Sequence, residues 1–371
     1  MTKLRYSVLI PDADSGHALI VARCLAQAGA RICALARDPR AALRFSRRTA
    51  YFRRELGHTL GAAPFSMEFI QKEIRSSRSD VFLPIDECAH EFAINHRRKL
   101  EQSIRLPPLA SAYALRIATH KDRLAHFLAT ERIPAPRTVS IDLAGLEEQL
   151  DINLEFPLIA KPACGNGGKG IEIIESKDAL RRFIANPHRA PFGRYILQQF
   201  IRGHDIDLSA LCVKGEIVAY TIQRGVVART RNFAASAGVE FLEAPRLLSI
   251  VARMLRQLDY SGIAHIDARY DEDADDFKII EINARYWGSL VASLKAGINF
   301  PDLACRWALG EELVASTYRN TRFMDALSFT KQIFGKPAVY SSRGFRVAET
   351  DLAFILSDPI AELVNVFNRR A

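Results

Sequence analysis

The chain has 371 residues, 49% hydrophobic and 25% charged, with a formal net charge of +9. That length points to two or three packed units, and the composition is ordinary for a globular protein. No run approaches the roughly 18 apolar residues that a membrane-spanning helix needs. The start, MTKLRYSVLIPDADSGHAL, meets Pro11 and two aspartates where a signal peptide would carry a small-residue cleavage site. The basic residues are dispersed and their densest patch, RRTAYFRREL at 47–56, is short. An anionic small molecule, rather than nucleic acid or a membrane, is the expected use of that charge. Of the 51 basic residues only 12 are lysines, so a lysine in a suggestive place gains weight. Cysteines at 24, 33, 88, 164, 212 and 305 form no C-x-x-C pair. They fit the reduced, mostly buried thiols of a cytoplasmic chain, not a zinc site or a disulfide framework.

Residues 5–10 (RYSVLI) read as a buried strand, 16–29 as a helix with Gly29 at its C-cap, and 31–36 (RICALA) as a second strand. A helix over 65–80 and a strand at 81–85 (VFLPI) follow, the alternation of a parallel α/β sheet. No G-x-G-x-x-G follows the first strand, so residues 1–110 are expected to form a Rossmann-like layer without a dinucleotide. RLPPLA at 105–110 is a stiff connector. A helix is expected over 111–130, and RIPAPRT at 132–138 breaks it. Residues 156–174 give strand, glycine-rich loop and strand, and a helix lies near 177–186. RYILQQFI, DIDLSALCVKG and EIVAYTIQRG, from 194 to 225, alternate as an antiparallel meander would. An amphipathic helix at 243–258 precedes a hairpin at 262–287 with an acidic, exposed turn. There is no internal repeat or low-complexity segment.

The second strand of that hairpin, in KIIEINARYWGS (278–289), carries Glu281 and Asn283 among isoleucines. Alternation sends Glu281 and Asn283 to one face and Ile280 and Ile282 to the other. Burying a carboxylate beside an amide is costly without a partner. With Asp267 on the paired strand, two carboxylates and an amide oxygen would form a hard, all-oxygen set suited to Mg²⁺; a polar sheet face in water is the competing reading. The loop KPACGNGGKG (161–170) has glycines at 165, 167, 168 and 170, which bring bare N–H groups close to an anion. It is not a Walker A loop, and a plain hairpin turn competes with the phosphate-cradle reading. Lys161, at the end of the preceding strand, could reach the same phosphates. Lys121, in THKDRLAHFLA, is otherwise a solvated helical lysine. Arg285 would keep the face of Asn283 and suits a forked phosphoryl contact. Arg224, Arg229 and Arg231, in a loop-like stretch at 223–238, either clamp a carboxylate substrate or lie on the surface. His204 and His265 have no partner spacing and read as structural.

Together these segments resemble the ATP-grasp superfamily, in its carboxylate–amine ligase and carbamoyl-phosphate-synthase-like branch. The resemblance runs from residue 1 to about 312 and rests on HKDRL, RIPAPRT, LIAKPACGNGGKGI, YILQQFIRGHDIDL and IIEINARYWGSL…AGINFP, in the family's order. It implies a mixed α/β and α+β architecture: a Rossmann-like domain at 1–110 and ATP-grasp lobes at 111–195 and 196–312. Residues 313–371 form an extension of unassigned role. By the same resemblance Lys121 and Lys161 bind the ATP phosphates, and the loop from Gly165 through Asn166, Gly167 and Gly168 to Gly170 closes over them. Gln198, Gln199, Phe200 and Ile201 form the hinge that reads adenine, and Asp205 holds the ribose. Asp267, Glu281 and Asn283 carry two Mg²⁺ ions, with Mn²⁺ as a substitute, and Arg285 stabilises the transferring phosphate together with Lys161. The hinge departs from the family pattern: Gln198 and Gln199 stand where a glutamate is frequent, and Asp205 replaces a longer Glu. Homodimers are common in that family.

The reaction so implied is attack of a substrate carboxylate on the γ-phosphate of ATP, giving an acylphosphate that an amine then displaces. No side-chain nucleophile is needed, in keeping with the lack of any Ser/His/Asp or Cys/His arrangement. ATP-driven carboxylation or phosphorylation at the same site is the first alternative. A non-catalytic nucleotide-binding module is the second, and the presence of Lys121, Lys161, Asp267, Glu281 and Asn283 argues against it.

Overall fold

The computed structural model describes residues 5–55, 66–142, 153–165, 168–186, 188–189, 193–229, 233, 235–314, 317–334 and 344–368. The first layer comprises β1 (Ser7–Ile10), α1 (Ala18–Gln27), β2 (Arg31–Ala36), β3 (Thr49–Arg54), α2 (Met67–Ser77), β4 (Val81–Phe82), α3 (Glu87–Asn95) and the short α4 (Arg97–Leu100). Its sheet is wholly parallel, in the order β3-β2-β1-β4. Period-two alternation decides the two faces. Val8, Ile10, Ile32 and Ala34 join the core that contains α1, while Leu9, Cys33 and Leu35 join the one with α2 and α3. Gly29 takes φ +82° just past α1, as its place at the helix end requires. Strand β3 lies inside the segment that reads only as a basic patch. It is an edge strand whose exposed Arg53 and Arg54 hide the pattern.

The helix expected over 111–130 is in fact two, α5 (Ala112–Thr119) and α6 (Lys121–Thr130). His120 between them is extended, with φ −120° and ψ 110°. The break is set from outside the helix: Lys121 N–H donates to the Ala163 carbonyl at 2.9 Å instead of continuing α5. Next come β5 (Thr138–Asp142), β6 (Leu158–Pro162), β7 (Glu172–Ile174), α7 (Lys177–Ile184) and β8 (Arg194–Gln199). The four strands form an antiparallel sheet, β5-β8-β6-β7, over a small core with α7. Strand β8 therefore does not open a three-strand meander. It pairs with β5 and β6, and a lobe boundary drawn at 195/196 falls inside it.

The third sheet joins β9 (Gly203–Val213), β10 (Glu216–Val227), β11 (Gly238–Phe241), β12 (Gly262–Asp271), β13 (Asp276–Asn283) and β14 (Arg322–Met324) in the order β13-β12-β9-β10-β11-β14. Helix α8 (Pro245–Gln257) packs with α5 and α6 on one face, and α9 (Leu290–Ala296) and α10 (Phe300–Ala308) lie on the other. The turn 272–275 of the β12–β13 hairpin is exposed, as its acidity suggests. After α11 (Ala326–Phe334), the helices α12 (Leu352–Ser357) and α13 (Pro359–Asn368) return to the first layer. All six cysteines are free thiols, with Cys24, Cys33, Cys212 and Cys305 buried. Among the described residues no helix is long and apolar enough to cross a membrane.

The return of the tail is fastened by ions. Arg23 is only 2% exposed and pairs with Glu362 at 2.5 Å and Asp351 at 4.0 Å. Ser46 donates to Asp358 at 2.5 Å, and Asn368 to the Arg40 carbonyl at 2.8 Å. Removing one side of a buried pair leaves the other uncompensated. Arg23→Ala is expected to destabilise the protein by about 3 kcal/mol, read as a lowered midpoint in urea denaturation.

Candidate functional site

The site is the complement of a core. On β9, Ile206, Leu208, Ala210 and Cys212 enter the core with α8; on β12, Ala264, Ile266 and Ala268 do the same. The alternate positions Asp207, Ser209, His265 and Asp267 must then lie on the opposite face. Asp267 stands opposite both Asp207 on β9 and Glu281 on β13. Simple alternation fails once. Asp267 pairs with Glu281 but Ala268 pairs with Ile279, so Ile280 is an extra, bulged residue. Ile279 and Ile282, not Ile280 and Ile282, fill the core, and Glu281 and Asn283 remain on the site face.

Two lysines meet this face, Lys121 from α6 and Lys161 from the four-stranded sheet. Lys121, the first residue of α6, donates to the Gly165 carbonyl at 2.7 Å and lies 3.4 Å from Glu281. Lys161, at the end of β6, donates to Gln198 Oε1 at 2.9 Å, and Gln198 Nε2 donates to Thr138 at 3.1 Å. Lys121, Lys161, Cys164, Gly165, Gly168 and Glu281 line one cleft. Gly165 and Gly168 take φ +114° and +71°, and a side chain at Gly168 would meet the Phe233 carbonyl at 3.0 Å. A backbone this bare is suited to close approach by an anion. Arg285 lies just past β13, yet it reaches Asn283 Oδ1 at 3.2 Å and the Tyr286 carbonyl at 3.0 Å. Asn283 in turn lies 3.4 Å from Asp267.

The electrostatics are those of groups crowded out of water. Burial pushes Lys161 down to about 8; Lys121 adds to the shift and Glu281 opposes it. Burial, with Asp207 and Glu281 close by, holds the Asp267 carboxyl well above the usual range. Asp207 is raised by burial and by Asp205, against the hydrogen bond from Gln223. His265 is held down at about 3 by burial and then by Arg285 and His17, so it is a neutral imidazole at pH 7. Its Nδ1 meets the Ser209 hydroxyl at 2.8 Å, Nε2 points to Asp267 at 3.4 Å, and Trp287 stacks on the ring at 5.3 Å.

The expected residues therefore separate into groups. Lys121, Lys161, Gly165, Gly168, Asp267, Glu281, Asn283 and Arg285 converge. Gly170 takes φ +73°, while Asn166, Gly167 and Arg231 lie outside the described residues. At the hinge, the N–H groups of Gln199 and Phe200 donate to the Arg137 and Pro157 carbonyls, and the Ile201 carbonyl accepts from Arg269. Asp205 is bound by Arg269 at 2.5 Å. Arg224 is in β10, not in a loop, and is held by Glu240; Arg229 pairs with Asp325 at 2.9 Å. Sequence reasoning passed over Asp207 and left His265 as structural. With Asp267 these two form a set whose ligand atoms all lie within 4.8 Å of one another. The signal for Asp207 was present in DIDLS, where polar residues fall on alternate positions of a strand.

Residues 192–327 match the family model described as ATP-grasp in the biosynthetic pathway with Ter operon. A carbamoyl-phosphate synthase of Methanobrevibacter smithii is 24% identical over 212 residues, 55% of this chain and 56% of that protein. The chain thus spans about half the length of that curated relative. Among solved structures, a biotin carboxylase–β,γ-ATP complex from Campylobacter jejuni has a TM-score of 0.67 at 17% identity, over 87% of this chain and 75% of that one. The L-amino acid ligase of Bacillus licheniformis has a TM-score of 0.61 at 19% identity, over 83% and 75%. The chain shares the fold of these proteins, and its match to the ATP-grasp family covers residues 192–327.

Lys161 offers a direct check of the cleft's electrostatics. Its amine should become half-reactive toward an acylating reagent near pH 8, followed by peptide mass spectrometry, and Glu281→Gln should move that midpoint lower because Glu281 supports the charged form. Between about 8 and the ordinary 10.5 the folded protein has released a proton that the unfolded chain keeps. The contribution of this group to stability therefore rises with pH across that window.

Proposed function

We propose that the protein is an ATP-dependent ligase that joins a carboxylate to an amine through an acylphosphate, releasing ADP and phosphate. The observation that carries this reading is the meeting of Lys121, Lys161 and Glu281 in one cleft, with Asp267 opposite Glu281 and Asn283 and Arg285 hydrogen-bonded in line with it. The likeness to a carbamoyl-phosphate synthase and to an L-amino acid ligase supports the reaction class. We read residues 1–110 as a Rossmann-like domain, the two antiparallel sheets as the nucleotide-holding lobes, and 313–371 as an extension that packs on the first domain.

The donor set fits magnesium. Asp267 and Glu281 are directly opposed on neighbouring strands, and Asp267 resists ionisation beside them, a repulsion that a hard cation would relieve. Asp267, Glu281 and Asn283 would hold two ions. When bound, these would neutralise the phosphate oxygens and orient the γ-phosphoryl group. Lys121 and Lys161 bind phosphate oxygens of ATP, and the glycine loop covers them and excludes water. A carboxylate oxygen of the substrate forms a bond to the γ-phosphorus as the bond to the ADP oxygen breaks, and Arg285 stabilises the charge that spreads over the transferred group. The amine then bonds to the acyl carbon, phosphate leaves with the carbon–oxygen electron pair, and the nitrogen gives up its proton. Gln198 fixes Lys161, and Gln198 to Ile201 with Asp205 supply the adenosine side.

The likeness to a biotin carboxylase favours a second reading, attack by bicarbonate to give carboxyphosphate. Calorimetric titration of Mg-ATP should show Mg²⁺-dependent binding that Glu281→Ala weakens at least tenfold. Pools of carboxylates with hydroxylamine should yield hydroxamates with ATP turnover, and Arg285→Ala should slow it about a hundredfold. ADP formation that requires bicarbonate and yields no hydroxamate would replace the ligase reading with carboxylation. Absence of nucleotide binding by the folded protein would remove both.

A further inference from the structure

Away from the nucleotide cleft, a cavity of about 580 Å³ opens where the 344–368 tail meets α9, the segment before β14 and the first layer. That is the size of a small-molecule site, typically about 300–1,000 Å³. Arg48, Lys295, Arg319 and Arg322 line it, and Glu349 is the one carboxylate among its described lining residues. Glu349 is already engaged, accepting the Arg346 N–H at 2.7 Å.

Three of the cations donate to neutral groups. Arg48 donates to the Ser357 hydroxyl at 2.6 Å, and its buried Nε has no acceptor among the described residues. Lys295 donates to the Ala348 carbonyl at 3.0 Å, and Arg319 to the Lys295 carbonyl at 3.2 Å. Arg322 lies over the Phe345 ring at 4.0 Å. Basic side chains around one concavity, with a single, engaged carboxylate among its described lining residues, make a field that draws a multivalent anion, and guanidinium forks match phosphate oxygens. Leu294 and Phe354 add an apolar wall.

We propose that this cavity is a second anion site, which takes a small phosphate-bearing molecule with its apolar body against Leu294 and Phe354. The site stands independently of the ligase reading, because it shares no residue with the nucleotide cleft.

Phenyl phosphate, titrated without magnesium and followed by phosphorus NMR, tests it on the full chain. Binding should persist in Lys161→Ala, which disables the nucleotide cleft, and weaken at least tenfold in Lys295→Glu/Arg319→Glu. Arg319 is exposed, so Arg319→Glu alone keeps the fold, checked by an unchanged thermal transition, and should weaken binding at least threefold. No binding to wild type, binding lost in Lys161→Ala, or binding untouched by Arg319→Glu and by the double variant would each overturn the proposal.

Discussion

The ammonium of Lys121 ties three separate pieces of the chain together. Its own backbone is fixed by the Ala163 carbonyl, its tip by the Gly165 carbonyl, and its charge by Glu281 on β13. Burying an ammonium to 9% exposure is costly without such partners. One consequence is that α6, the glycine loop and β13 must come into place jointly. Lys161 repeats the device one strand away, held by Gln198. The cleft is therefore a set of opposed charges that are each other's solvation, and anything that adds charge to it must redistribute all of them.

The first layer takes part in this arrangement. Tyr286 N–H donates to the Ile85 carbonyl at 3.2 Å, and Arg285 lies 3.7 Å from Glu87 at the start of α3. The 85–86 turn is braced by Asp12, whose carboxylate accepts the N–H groups of Ile85 and Asp86. Burial and the neighbouring Asp86 push Asp12 up to about 8. His17 completes the rim at 3.3 Å from Asp86. The loops at the strand ends of the parallel sheet thus reach the residues that follow β13, so this layer is part of the site's wall.

Local pattern revealed the elements that alternate cleanly. The buried strands at 7–10 and 31–36, the helix ended by Gly29, and the faces of Glu281, Asn283 and Asp267 were all legible, because one residue's side of a strand follows from its neighbours'. What stayed hidden depends on partners far along the chain. The break at His120 is caused by Ala163, and β8 joins a different sheet from β9 although the two are nearly continuous in sequence. Ile280 leaves the core because of a register shift against β12, and Arg224 is neutralised by Glu240, which no spacing announces. His265 looked solitary because Ser209, Asp267 and Trp287 reach it only through strand pairing and the turn after β13. The candidate residues were readable from motifs; the arrangement that brings them together required the ladder.

The Arg23–Glu362 pair spans 339 residues of chain. A ribosome making roughly 5 to 20 residues per second would need about 20 to 70 s to supply the second partner after the first. During that interval the guanidinium of α1 has no counter-charge, and the face of α1 that α13 covers is bare. The amino-terminal layer cannot reach its final packing until Glu362 has been made, however early its strands emerge. Until then nascent chains present a cationic, partly apolar surface, a natural target for whatever binds polypeptides at the exit tunnel.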